Sequence, residues 1–207
     1  MVPIRENLVP KDKYAIKCPY TRTPTRVVIH NTANDAPAAN EISYMRYNDL
    51  EISFHYAVDD VNIVQGIPEN RNAWASGDGH GKGNMEGIHI EICYSKSGGK
   101  KFDKAEQNAA EFTASLLKKY GWGIDKVTKH RDYDGKYCPH RTLDRGWQRF
   151  LSMVKHYMKP AKTPVASKFT PYLIRKNCRD ALNIRKGPST NYGILGQIKD
   201  TLRYTIV

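Results

Sequence analysis

Nothing in the 207-residue chain approaches the run of ~20 apolar residues that a membrane helix needs, so membrane insertion is not expected. The N-terminal segment MVPIRENLVPKDKY has no apolar stretch of the secretory kind, which predicts cytoplasmic synthesis without a signal peptide. Cysteine is scarce. Cys18, Cys93, Cys138 and Cys178 form no CxxC pair and no dense disulfide pattern, so a reducing compartment of synthesis is expected. Internal repeats are missing, as is any recognised nucleic-acid motif or pattern of stacking aromatics, so no nucleic-acid partner is expected. Acidic residues are few, 21 against 33 Lys and Arg, for a net charge of +12.

That charge is uneven. Residues 1–158 hold 23 basic and 19 acidic residues, whereas 159–207 hold 10 and 2. The excess is a property of the tail and suits a polyanion such as a phosphate-rich surface; over the first part it needs no reading beyond solubility. What is present is globular: 40% hydrophobic and 26% charged residues. The length allows one full domain with its own core plus a smaller piece. Residues 159–167, KPAKTPVAS, have the composition of a linker. The boundaries expected are therefore 1–158, 159–167 and 168–207.

Along the chain, RVVIHNT at 26–32 reads as a buried strand ending at His30. NEISYMRYN at 40–48 reads as a short helix, and FHYAVDD with VNIVQGIP over 54–68 as two tightly joined strands. A glycine-rich loop, SGDGHGKGN at 76–84, precedes the strong strand GIHIEICYS at 87–95. Residues 103–120 read as the best helix, with Asp103 and Glu106 at capping-box spacing, an apolar face from Ala109 to Tyr120, and Gly121 as its stop. A last helix is expected over 143–158, with Trp147, Phe150, Leu151, Val154 and Tyr157 as its buried stripe. Strands alternating with helices predict an α/β fold with a mixed central sheet packed by helices.

Three residues have the chemistry to hold zinc: His30 at a strand end, and His130 and Cys138 flanking one polar loop. Such histidines are also often satisfied by hydrogen bonds alone. Alternation in GIHIEICYS puts Ile88, Ile90 and Ile92 on one face and His89, Glu91 and Cys93 on the other. A carboxylate inside so apolar a strand either pairs with a cation or serves a site. Lys136, two residues before Cys138, projects to the same side if the stretch is extended. Trp74, before the glycine-rich loop, either stacks on a sugar or anchors that loop, and His80 within it either lines a groove or is solvated. His55, His140 and Cys93 read as structural, and His156 as inert.

VVIHNT, SFHYAVDD, GIHIEICYS and KHRDYDGKYCPHR, in that order, resemble the type 2 N-acetylmuramoyl-L-alanine amidases. That family shares its fold with the peptidoglycan recognition proteins and includes many phage endolysins. The resemblance covers about residues 20–158. It implies zinc held by His30, His130 and Cys138, Glu91 as general base on the attacking water, and Lys136 as the group that steadies the carbonyl oxygen. It implies bacterial peptidoglycan as substrate and action on the wall after release from the cytoplasm. Some members carry a catalytic tyrosine where this chain has Phe54, which cannot shuttle a proton. They also often carry a small residue where this chain has His89, which leaves His89 open as an outer partner or an alternative ligand.

The tail stretch DALNIRKGPSTNYGILGQIKDT resembles the opening half of a bacterial SH3-like wall-binding domain. An incomplete module of this kind is expected to pack on the first domain, stay partly unfolded or self-associate, and its charge suits anionic wall polymers. Two rival readings are weaker. A non-catalytic peptidoglycan-binding module would typically lack part of the zinc set. A zinc deaminase shares His89-Ile90-Glu91 but needs a Pro-Cys-x-x-Cys that the chain does not have.

Overall fold

The computed structural model describes residues 1–159, 172–175, 182–186, 191–199 and 203–206. The chain divides into two compact units, Met1–Ala161 and Lys162–Val207. The expected linker from residue 160 onward and Cys178 lie outside the described residues.

The first unit is built on a six-stranded sheet. Its strands are β1 (Ile4–Glu6), β2 (Arg26–Asn31), β3 (Tyr56–Val58), β4 (Ile63–Gln65), β5 (Gly87–Ile92) and β6 (Val127–Lys129), in the order β1-β4-β3-β5-β2-β6. Every join is parallel except β3–β4, which is the tight pair expected between 54 and 68. β5 and β2, the two most apolar strands, are interior and carry side chains on both faces, as buried parallel strands do. Ile29, Ile90 and Tyr56 lie in one register row. Their face is covered by helix α4 (Gly99–Tyr120), whose Phe112 meets the Tyr56 ring edge-on at 4.6 Å. The neighbouring row, His30, Glu91 and Ala57, belongs to the opposite face. Helix α2 (Ala38–Tyr47) packs on β3 and β4, burying Ile42 and Met45.

Three short helices complete the polar segments: α1 (Tyr14–Lys17), α3 (Lys82–Glu86) and α5 (Arg131–Asp134). The expected helix over 143–158 is two helices, α6 (His140–Asp144) and α7 (Trp147–Met158). Gly146 breaks them apart with a φ of +99°. In α7, Phe150 and Val154 are fully buried while Trp147, Leu151 and Tyr157 pack partly buried around them. The capping box expected at Asp103 and Glu106 does not form: α4 starts four residues earlier, after Gly98, and its N-cap has no side-chain hydrogen bond. Both acids instead tie α4 to α7 and the turn before it. Glu106, only 1% exposed, accepts from Arg149 Nη2 at 2.7 Å on both oxygens and from Arg145 at 3.4 Å, while Asp103 pairs with Arg145 at 2.5 Å. The other end is as expected, with Gly121 left-handed at φ +68°.

This pairing is unequal. Arg149→Met leaves a buried carboxylate with one long contact and should cost ~1–3 kcal/mol. Glu106→Gln should cost less, because Arg145 and Arg149 are 34% and 39% exposed and can rehydrate. Equal losses in urea denaturation of the two variants would refute this ranking.

Among the described residues of the second unit there are two separate antiparallel pairs. β7 (Tyr172–Arg175) pairs with β10 (Arg203–Ile206), and β8 (Leu182–Arg185) with β9 (Ile194–Ile198). Among the described residues no helix is long and apolar enough to cross a membrane.

Candidate metal centre and active site

β5, β2 and β6 are parallel neighbours, so their carboxyl ends open together on one edge of the sheet. Open α/β sheets bind ligands at such an edge. Glu91 lies near the end of β5, His30 near the end of β2, and His130 directly follows β6. Cys138 returns to the same place on the loop before α6. The three candidate ligands His30, His130 and Cys138 are all buried, and one donor atom from each lies within 4.8 Å of the others. His30 Nδ1 is 3.2 Å from His130 Nδ1 and 4.0 Å from Cys138 Sγ.

The outer nitrogens are held from behind. His130 Nε2 faces Asp134 Oδ2 at 3.0 Å, and His30 Nε2 faces His89 Nδ1 at 2.9 Å. A histidine whose far nitrogen is engaged in this way presents the other one to a metal. Asn31 fixes the third donor. Its Oδ1 accepts from the backbone N–H groups of Arg141 and Thr142, tying α6 to the end of β2, and its own backbone N–H points at the Cys138 sulfur. Two imidazoles and one thiol, converged and braced, fit a zinc-like ion with one position left open.

The electrostatics suit that reading. Burial pushes the Cys138 thiol up to about 12, aided by the negative charge of Glu91 and opposed by the Asn31 N–H and Lys136. The thiol therefore keeps its proton unless a cation displaces it. Burial, then the neighbouring His89, His130 and Lys136, hold His30 far below the ordinary histidine range, so the ring stays neutral with one nitrogen lone pair free. Burial likewise lowers His130, with Asp134 pulling the other way.

Glu91 is half-buried. Its Oε2 is shut away from solvent with no hydrogen-bond partner, while the residue lines the open groove. Burial first, then the charge of Glu41, raises its carboxyl to about 8; Lys136 acts in the opposite direction. A carboxyl in that range can take and return a proton near neutral pH. Lys136 sits exposed on the groove wall, where its backbone N–H donates to Asp134 Oδ1 at 2.8 Å.

The groove above these groups encloses about 1120 Å³. Trp74 and His80 both line it. Trp74 anchors its surroundings: Nε1 donates to the Ile16 carbonyl at 3.0 Å, and its ring meets Tyr20 and His80 edge-on. His80 is exposed and contacts the Tyr20 hydroxyl at 3.2 Å. Gly77 in the same loop has φ +69°, and a Cβ there would fall 2.2 Å from Asp134, so the loop can press against the residue that braces His130. Of the remaining histidines, His55 is buried, accepts the His89 N–H at 3.0 Å and contacts the Arg71 carbonyl at 2.9 Å. His140 faces the Ser95 carbonyl at 3.3 Å, and His156 is exposed beside Tyr157. Phe54 and Cys93 are buried.

Sequence reasoning missed Asp134, Asn31 and Lys17. Only the first left a trace, the i,i+4 spacing from His130. Lys17 is a fully buried lysine whose Nζ donates to Asn48 Oδ1 at 2.7 Å and to the carbonyls of Leu50 and Ile52 at 2.5 and 3.2 Å. It holds the 48–52 loop, whose Asn48, Glu51 and Ile52 form part of the groove wall.

Chemically the converged donors, a buried unpartnered carboxyl oxygen and a cation at the rim of an open groove suit a metal-dependent hydrolase. Comparison with known proteins narrows that class. Residues 20–141 match the family model described as N-acetylmuramoyl-L-alanine amidase. The chain is 50% identical over 181 residues to N-acetylmuramoyl-L-alanine amidase XlyB of Bacillus subtilis, covering 84% of this chain and 57% of XlyB. Its identity to N-acetylmuramoyl-L-alanine amidase CwlA of the same organism is 50% over 190 residues, 87% of this chain and 70% of CwlA. The solved structure of PlyL superposes with a TM-score of 0.73 at 52% identity, over 74% of this chain and 97% of that one. The chain belongs to the N-acetylmuramoyl-L-alanine amidase family.

Proposed function

We propose that this protein hydrolyses the amide bond between N-acetylmuramic acid and L-alanine in bacterial peptidoglycan, as a zinc enzyme of the endolysin kind. The observation that supports it most is the convergence of His30, His130 and Cys138 beside Glu91 at the carboxyl ends of three parallel strands. A binding module without catalysis would need neither a converged donor set nor an unpartnered carboxyl oxygen buried beside it. Mass spectrometry of digested peptidoglycan should reveal newly freed N-terminal L-alanine. Wall digests with no new amine would overturn the proposal.

His30, His130 and Cys138 hold the zinc, which when bound supplies Lewis-acid polarisation and makes water more acidic. Trp74, His80 and the loop clamped by Lys17 line the groove that orients the glycan and stem peptide. Glu91 takes the proton of the attacking water and then delivers it to the departing nitrogen of L-alanine. Lys136 offsets the negative charge that grows on the carbonyl oxygen. Because that charge is largest in the transition state, Lys136→Ala should lower kcat more than it raises KM. Steady-state kinetics in which KM alone changes would move Lys136 to ground-state binding.

The domain roles follow the same reading: residues 1–158 carry catalysis, 159–167 link, and 168–207 form a partial SH3-like segment whose positive charge favours anionic wall polymers. Deleting everything after Lys159 should leave hydrolysis of soluble wall fragments unchanged and weaken binding to intact walls at low salt. Loss of activity on soluble fragments would show that the tail contributes to the first unit.

A further inference from the structure

His89 lies outside the converged donor set, and no step above uses it. It is fully buried in the middle of β5, two residues before Glu91 and on the same face. Its Nδ1 is 2.9 Å from His30 Nε2. The other nitrogen of His30, Nδ1, is the one 3.2 Å from His130 Nδ1, inside the donor set. An imidazole that offers the Nδ1 lone pair to a metal carries its proton on Nε2. Buried and without an acceptor, that N–H would be costly. His89 Nδ1 stands where the acceptor is needed.

The ring of His89 is itself held. Its backbone N–H donates to His55 Nδ1 at 3.0 Å, and the two rings stack at 5.6 Å with 16° between planes. On its other side His55 Nε2 lies 2.9 Å from both the Arg71 carbonyl and Arg22 Nη2, so that ring is held as well. His89 Nε2 looks toward the Gly83 carbonyl without closing a hydrogen bond of ordinary geometry. Space on that side is short: a Cβ on Gly87 would lie 2.6 Å from the Gly83 oxygen and 3.3 Å from His89 Nε2. His130 has the equivalent support from a carboxylate, Asp134. A carboxylate under His30 would add negative charge beside Glu91, whereas an imidazole accepts the same proton without it.

We propose that His89 is a positioning residue for His30, accepting its Nε2 proton and so fixing which nitrogen faces the metal. The inference rests on the zinc reading above. Its test uses the full chain and two variants of nearly equal shape. In His89→Asn, Oδ1 can replace Nδ1 as acceptor; in His89→Leu, no acceptor remains. Competition with a chromophoric chelator measures the zinc dissociation constant of each. His89→Leu should bind zinc about 10–100-fold more weakly than the parent, and His89→Asn should recover most of the loss. Equal affinity in the Leu variant and the parent, or equal weakening in both variants, would overturn the role of His89. In ¹⁵N spectra of the zinc-loaded parent, His30 should carry its proton on Nε2; a proton on Nδ1 would overturn it as well. A parent protein that binds no stoichiometric zinc would instead defeat the zinc reading itself, and the proposal with it.

Discussion

Cys138→Ser should leave a folded protein that binds zinc at least ~100-fold more weakly and has lost its hydrolytic activity. The estimate is a floor, since losing even an outer partner of a ligand costs up to about 100-fold in affinity. A serine hydroxyl stays neutral where a thiolate would bring a negative charge and a soft donor atom. The variant should also keep its fold, because the end of the Cys138 loop is held independently of the sulfur by the Arg141 and Thr142 N–H groups donating to Asn31 Oδ1. Metal analysis after dialysis, paired with circular dichroism, measures both halves. Full zinc content and full turnover in Cys138→Ser would remove the cysteine from the ligand set.

Glu91→Gln should retain zinc and fold yet lose ~10²–10⁴-fold in turnover, the usual worth of a positioned general base. It carries a second signature in stability. In the metal-free protein the Glu91 carboxyl is raised from the ordinary carboxylate range to about 8, so the native state binds its proton more tightly than the unfolded chain does. Stability from this group is complete below the unfolded pKa and is lost as pH rises through about 8. Glutamine has no proton to lose. Melting curves in chelator should therefore show the variant gaining on the parent as pH rises from 4 to 9, with the least difference at the acidic end. Near-normal turnover in Glu91→Gln would pass the base role to another group. A variant that is inactive but shows no relative gain at high pH would mean that the carboxyl is not held protonated.

Together the two variants separate holding the metal from moving the proton. The first should lose both, the second only one. They also bear on the cost of the site. Glu91 Oε2 and His89 Nε2 are buried polar atoms without hydrogen-bond partners, and both lie in the same strand beside the donor set. Such atoms lower stability, and their clustering here fits a strand that gives up stability for chemistry.

Much of the scaffold was legible because it rests on local pattern. Alternation in GIHIEICYS set the isoleucines against His89 and Glu91, and the register with β2 places Glu91 in the same row as His30. The apolar stripe of α7 and the glycine stop of α4 are short-range signals of the same kind. β1 and β6 escaped notice because each has only one apolar residue in three, whereas the equally short β3 and β4 sit in apolar stretches. The capping box failed because α4 begins at Gly99, which puts Asp103 and Glu106 inside the helix, where they pair with arginines some forty residues away.

At the site itself, the candidate donor types, the base candidate and the family that their motifs resemble could be read from the sequence alone. Tertiary structure decided which atoms meet. His30 and His130 are 100 residues apart, and only the side-by-side placement of β2 and β6 brings their Nδ1 atoms to 3.2 Å. Lys17 and Asn31 gained their roles in the same way, from partners contributed by other segments. The role of His89 could not be chosen from its sequence neighbours, because an imidazole can ligate, accept or donate. The proton position on His30 selects among these, and that position is set by the far side of the ring, where the chain comes back into contact with itself.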